Sequence, residues 1–335
     1  MNARKIWCKL ACSILVVVPH LLTSCESIRD DRDHCGIYLE FIYDYNMDYT
    51  DVFDLQVDAV DVFLFDGDGR YLLTKRSRRE NLSGGNRMFL GDDIPYGKYK
   101  ILAIGGLSPN FRVSGRDGSA LTAGQTMLGD VRIALAREGA TVADEFSPLW
   151  VGEVTEVEHK PDLSVWPVHL IKDTNRFSLV LSKPEDNAGT RAEPAYTFSI
   201  VTPEGAVYGA DNAPVLAETV TYTPYLLAPG DDPEELAKGQ INTVRLIDGK
   251  DYPYRITVQD TRTGRTVWDY DLMELLEAAK PGTRPDGNAL PMQEYLDRRS
   301  EWRIVIHYKE GDDGGFVAFK VIVNDWIIWL NEIGV

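Results

Sequence analysis

Apolar and polar residues alternate in short runs along most of the chain. In IYLEFIYDY, Ile37, Leu39, Phe41 and Tyr43 fall on one face, a period of two that predicts a strand over 37–45. The stretch VDVFLFDGDGRYLLT is the clearest hairpin signal, because two apolar runs flank Asp66-Gly67-Asp68-Gly69. YGKYKILAIGG, DVRIALA, LWVGEVTEVEH and SVWPVHL continue the pattern. A second set follows: TNRFSLVLS, YTFSIVT, QINTVRLI, YRITVQD, EWRIVIHYK and FVAFKVIVNDW. Gly, Pro, Asn and Asp mark the breaks. Regular short strands separated by turn chemistry predict an all-β chain built as β-sandwiches.

Helical patterning is confined to one region. Asp271 is a candidate N-cap with Glu274 three residues on, and LMELLEAA runs from there until Pro281-Gly282. Leu290 to Arg298 predicts a second short helix. Both lie between strand signals near Tyr254 and Trp302, as a crossover insertion would. SVWPVHLIKDTNRFSLV carries no Gly or Ser linker, so the first half of that passage reads as the end of one domain and the second half as the start of the next. The expected domains are 36–168 and 169–335, with restricted relative motion.

The N-terminus breaks the alternation. Arg4, Lys5 and Lys9 precede a nearly unbroken apolar run from Leu10 to Leu22, too short and too interrupted to span a bilayer. Leu22-Thr23-Ser24-Cys25 then resembles a bacterial lipobox. That resemblance implies a signal peptide over 1–24, cleavage between Ser24 and Cys25, and acylation of Cys25. Two or three acyl chains suffice for stable anchoring, since each buried CH₂ contributes about 0.8 kcal/mol. The alternative is an ordinary signal with Cys25 a bystander. Residues 25–35 hold Glu26, Asp30, Asp31 and Asp33 and read as a solvated acidic tether. They also resemble signals that send lipoproteins to the outer face of the outer membrane.

Charge and cysteine content narrow the function. A net charge of −17 argues against nucleic acid, which needs a basic footprint. Lys75 to Arg79 (KRSRR) is the one basic cluster and reads as a solvated loop. Of the four cysteines, Cys8 and Cys12 leave with the leader, Cys25 carries lipid and Cys35 remains alone. No internal disulfide or cysteine zinc site is expected, and the core must hold the fold.

Catalytic and metal motifs are not evident. Counted from Asp66, the twelfth position of a calcium loop is Ser77 where a bidentate Glu is needed. His34, His159, His169 and His307 are scattered and form no HExxH pair. No nucleophile elbow, phosphate loop or dinucleotide fingerprint occurs. No cofactor and no metal are expected. Trp150, Trp166, Trp268, Trp302, Trp326 and Trp329 sit mainly in apolar strand runs and read as core, with a sugar-stacking platform as the alternative.

The lipobox cysteine, the stretch CGIYLEFIYDYNMDYTDVF with YDYN at Tyr43–Asn46, the run VDVFLFDGDG and the distal VIVNDW together resemble the FimB/Mfa-type fimbrial anchor (minor fimbrial subunit) lipoprotein family of the Bacteroidetes. The resemblance implies two tandem transthyretin-like β-sandwich domains and outer-membrane lipidation. It further implies a non-catalytic role holding a polymeric fimbrium to the cell and stopping its growth, with a stalk subunit (pilin) as partner. Phe316–Val323 reads as a strand apolar on both faces and buried on both sides. Ile327, Ile328, Trp329 and Leu330 are the candidate assembly contact, extending beyond the sandwich towards the stalk. A surface glycan-binding lipoprotein of a polysaccharide-uptake system is the runner-up, and a lipid-anchored hydrolase the third reading.

Overall fold

The computed structural model describes residues 36–91, 94–183, 194–249, 253–311 and 315–330. Ser24, Cys25, His34 and Cys35 lie outside them. The first run of strands is β1 (Gly36–Ile42), β2 (Ala59–Asp66), β3 (Tyr71–Arg78), β4 (Arg87–Phe89), β5 (Gly97–Gly105), β6 (Phe111–Ser114), β7 (Arg132–Leu135), β8 (Thr141–Val142), β9 (Trp150–Gly152), β10 (Thr155–His159) and β11 (Leu163–Lys172), with a single helical turn α1 (Phe53–Gln56). The second run is β12 (Thr174–Ser182), β13 (Tyr196–Glu204), β14 (Val207–Gly209), β15 (Ala217–Tyr222), β16 (Leu226–Ala228), β17 (Glu235–Val244), β18 (Arg255–Asp260), β19 (Thr266–Asp271), β20 (Glu301–Glu310), β21 (Phe316–Val323) and β22 (Trp326–Trp329). Between β19 and β20 stand α2 (Leu272–Ala278) and α3 (Met292–Arg298). The protein is mainly β, with a β-sandwich architecture.

An eight-stranded sheet ordered β3-β2-β5-β9-β11-β1-β4, with β10 also on β5, organises the first run. Its central strand β2 is buried on both faces, which is why it reads as nearly unbroken apolar sequence. Val60, Val62 and Leu64 enter one core with Ile37, Leu39, Phe41 and α1's Phe53. Phe63 and Phe65, pointing the other way by the period of two, enter a second core with Phe111 and Ile133. The sheet curls until its two edges approach, and the Lys75 ammonium donates to the Phe89 carbonyl at 3.1 Å.

The basic cluster is a correction to the sequence reading. Lys75 to Arg78 belong to β3 itself, and only Arg79 lies past its end. β3 is an edge strand, and charged side chains are what keeps such an edge from pairing with other chains. The hairpin turn before it forms as expected: the Arg70 N–H donates to Asp66 Oδ1 at 2.8 Å, and Gly69 takes φ 87°.

The second run builds a six-stranded sheet, β16-β17-β12-β20-β21-β22, and a five-stranded sheet, β19-β18-β13-β15-β8. Phe177, Leu179 and Leu181 of one face Ile200, Ile256 and Val258 of the other in a shared core. Asp271 caps α2, accepting from the Glu274 N–H at 3.2 Å. The two helices carry the chain from the five-stranded sheet to the six-stranded one.

Two features tie the runs together. β11 ends at Lys172 and β12 begins at Thr174, so Asp173 alone separates them, and Val168 lies inside β11. Strands also cross: β7 pairs with β14, and β8 pairs in parallel with β15. A single core cluster therefore runs from Phe63 and Ile104 through to Ile306 and Val323.

Candidate assembly interface

Two places concentrate unusual chemistry: a polar junction between the runs and a bare aromatic edge. The junction is built on Tyr43–Asn46. The Asn46 amide donates to the Tyr43 carbonyl at 3.1 Å and the Thr50 carbonyl at 2.7 Å, while its Oδ1 accepts from the Asp48 N–H at 3.0 Å. That network, with Tyr49 at φ 53°, folds the loop so that Tyr45 and Tyr49 face each other. The Arg298 guanidinium lies between them, 4.1 Å from one ring centroid and 4.2 Å from the other. It also donates to the carbonyls of Asp44 (3.1 Å) and Asn46 (3.2 Å).

Behind Arg298, Glu294 accepts from its Nε at 2.8 Å and from the Arg284 Nε at 2.8 and 2.9 Å. The bond to Arg284, followed by the one to Arg298, holds the Glu294 carboxyl below its usual range despite partial burial. One turn on, Asp297 takes a bidentate bond from Arg245 at 2.7 and 2.8 Å. Arg245 reaches the Asn212 carbonyl at 2.7 Å, and the Asn212 amide donates to Asp173 at 2.8 Å. Burial pushes Asp173 up to about 7, against the opposing pull of Arg245. Burial also pushes Glu204 up to about 7. None of α3's charged residues stood out in the sequence. The signal was there: Glu294 and Arg298 are an i,i+4 pair on a short helix.

The bare edge is β22. Its register pairs Trp329 with Lys320, Ile328 with Val321, Ile327 with Ile322 and Trp326 with Val323. Asn324 at φ 53° makes the tight turn, and its Oδ1 accepts from the Arg303 N–H at 2.9 Å. VNDW is therefore hairpin chemistry, since an Asn tolerates the left-handed region there. This corrects the expectation that Ile327–Leu330 project beyond the sandwich: Ile327, Ile328 and Trp329 belong to the last strand of its sheet. Ile328 and Leu330 are buried, but Trp326, Ile327 and Trp329 are 54, 58 and 46% exposed. These exposed tryptophans also depart from the core reading, which Trp150 and Trp302 follow.

β21 departs likewise. Val321 and Val323 are buried, whereas Val317 is exposed and Ile322 half-buried. On the outer face cover thins toward the edge: Val180 and Val305 are 4 and 6% exposed, Ile322 is half-buried and Ile327 is 58% exposed. Val180, Val305, Ile322 and Ile327 stand directly opposite one another across β12, β20, β21 and β22, a straight aliphatic row on that face. Phe319 lies 6.3 Å from Trp329, and the Lys320 ammonium sits 5.9 Å over the Trp329 ring.

The histidines stay apart: His159 meets the Pro95 carbonyl at 3.1 Å, His169 meets Asp44 at 3.1 Å, and His307 lies on β20. Among the described residues no group of three or more His, Cys, Asp or Glu could hold a metal ion, and no helix is long and apolar enough to cross a membrane.

The chain is a member of the family described as fimbrillin-A associated anchor proteins Mfa1 and Mfa2, which matches residues 29–332. It is thereby a fimbrium-associated cell-surface protein. Among solved structures, a candidate adhesin of Bacteroides ovatus is 44% identical, with 92% of this chain and 98% of that one covered and a TM-score of 0.82. A candidate polysaccharide-binding protein of Bacteroides thetaiotaomicron is 28% identical over 90% of this chain and 100% of that one, with a TM-score of 0.76. The fimbrial anchor protein Mfa2 of Porphyromonas gingivalis shares the fold at 17% identity, with 88 and 98% covered and a TM-score of 0.65. No protein of curated function matches the sequence.

Proposed function

We propose that this protein is an outer-membrane lipoprotein, acylated at Cys25, that holds a polymeric fimbrium at the cell surface and ends its growth without catalysing a reaction. Membership of the anchor family over 29–332 carries the reading. The lipobox ending at Ser24-Cys25 supports the membrane attachment. The exposed Trp326, Ile327 and Trp329 on an edge strand support a docking role, because an apolar edge left bare is an aggregation hazard that a partner relieves.

The test is Cys25→Ala. The variant loses its acyl mass and leaves the membrane fraction while its circular dichroism is unchanged. Undiminished membrane partitioning of the variant would overturn the lipid anchor.

A second reading, a glycan-binding lipoprotein, draws on the exposed tryptophans and on the Bacteroides thetaiotaomicron relative. Retention on immobilised polysaccharide, lost on Trp329→Ser with pilin retention intact, would favour it. Loss of pilin retention from the same variant favours the anchor.

A further inference from the structure

The point where the chain enters the fold and the point where it leaves the first sheet lie at opposite ends of one strand pair. β1 begins at Gly36, eleven residues after Cys25. β1 and β11 run parallel, from Gly36 opposite Leu163 to Ile42 opposite His169. The tether therefore joins the pair at the N-terminal end of β1. β11 passes through Lys172 and Asp173 directly into β12, so the second run is joined at the other end, by the C-terminus of β11.

The geometry of loading follows. Tension between the tether and the second run pulls β1 toward its N-terminus and β11 toward its C-terminus. The strands are drawn past each other along their length, and the evenly spaced bonds of the parallel ladder share the force. Had the two strands been antiparallel, the same attachments would pull from one end and open the rungs in turn. β1 is held on its second side as well, with Tyr38, Leu39 and Glu40 opposite Phe89, Met88 and Arg87 of β4. Its far end runs into the Tyr43–Thr50 loop, which Arg298 grips by both rings and by two carbonyls. Sliding β1 out would strip that grip and drag Ile37, Leu39 and Phe41 from the core.

We propose that the β1–β11 pair is a force-bearing clamp, loaded in shear between the N-terminal tether and the rest of the protein. The biological purpose of the clamp rests on the anchor reading above, but the mechanical claim is tested without lipid or fimbrium.

The experiment is single-molecule pulling of the chain from residue 25 onward, unlipidated, with one handle at the C-terminus. In the first geometry the other handle is Cys25, with Cys35→Ser. In the second, Cys25→Ser and Cys35→Ser are combined with Asp48→Cys, placing the handle on an exposed side chain just past the far end of β1. The fold is the same, but β1 is now pulled from the same end as β11, and the ladder peels. The rupture of the first sheet is recognised by the length of chain it frees. That rupture should need a force about twofold or more higher from Cys25 than from Asp48, because several rungs share the load instead of one. Equal forces, or a lower force from Cys25, overturn the clamp. Matching melting temperatures for the two proteins exclude a change of fold as the cause. Release of Cys25→Ala from membranes is a separate result, so failure of the anchor reading and failure of the clamp are distinguishable.

Discussion

The junction around α3 and the edge at β22 invert the usual placement of residues. At the junction, charge is buried: the Asp297 side chain is 4% exposed and that of Glu294 9%. At the edge, aromatic and aliphatic side chains face solvent. The contrast follows from what each place must satisfy within the chain. Asp297 and Glu294 are paired with Arg245, Arg284 and Arg298, so their burial is compensated and the geometry is specified, whereas Asp173 and Glu204 keep carboxylate oxygens without a hydrogen-bond partner. Trp326, Ile327 and Trp329 at the edge remain about half exposed, apolar surface that the described chain leaves open to solvent.

Removing one member of the buried set tests the first half of that contrast most severely. Asp297→Ala leaves the Arg245 guanidinium largely buried without its bidentate partner. Unfolding in denaturant should show a loss of about 3–5 kcal/mol. A loss no larger than that of a surface substitution would mean that the junction is solvated in solution.

Titration is the next largest lever. Asp173 and Glu204 have folded pKa values of about 7, raised from 3.8 and 4.5 by burial. The folded state favours their neutral forms. Their contribution is complete below about pH 4 and is lost as pH rises through about 7. Each loses on the order of 3 kcal/mol across that window. Glu294, held down by Arg284, acts in the opposite sense at the acid end. Melting temperature should therefore fall between about pH 4 and about pH 7, the range between the unfolded and folded pKa values. Asp173→Asn should flatten part of that fall. An unchanged slope in the variant would remove Asp173 from the account.

Arg298→Ala should cost less, about 1–2 kcal/mol, since two ring contacts are lost while Glu294 keeps Arg284. Amide exchange should rise in 43–52 and stay unchanged in β20–β22. Faster exchange spread over the whole protein would show that Arg298 supports the fold globally and not the junction.

The smallest effect on stability belongs to the edge. Trp329→Ser should change unfolding free energy by less than about 0.5 kcal/mol, because the side chain is half exposed. The same variant should lose retention of the stalk subunit. A large destabilisation with retention intact would erase the distinction between junction and edge.

Much of the secondary structure could be read locally. The Asp66–Gly69 turn, the Asp271 cap with Glu274, and the strands with period two depend on neighbours a few residues away, and they form as the pattern predicts. Phe316–Val323 is a strand with the bounds the alternation suggested. The pattern of β21 and β22 does not say which face is covered. A residue such as Ile322 is equally apolar in a buried sheet and on an uncovered one. Tyr43–Asn46 stood out as a motif, but its partner Arg298 lies 252 residues from Asn46.

The sequence by itself determined the β class, the turns and caps, the candidate lipid-bearing cysteine and the acidic surface, because each rests on local spacing or on composition. Only the tertiary structure decided that the basic cluster is an edge strand, that β7 pairs with β14 while β8 completes the five-stranded sheet of the second run, and that β1 and β11 are parallel partners. Those outcomes depend on which distant strands meet and in which direction. Pairing of that kind is selected by the summed burial of both faces and by loop closure across the whole chain, and no short window of residues records it.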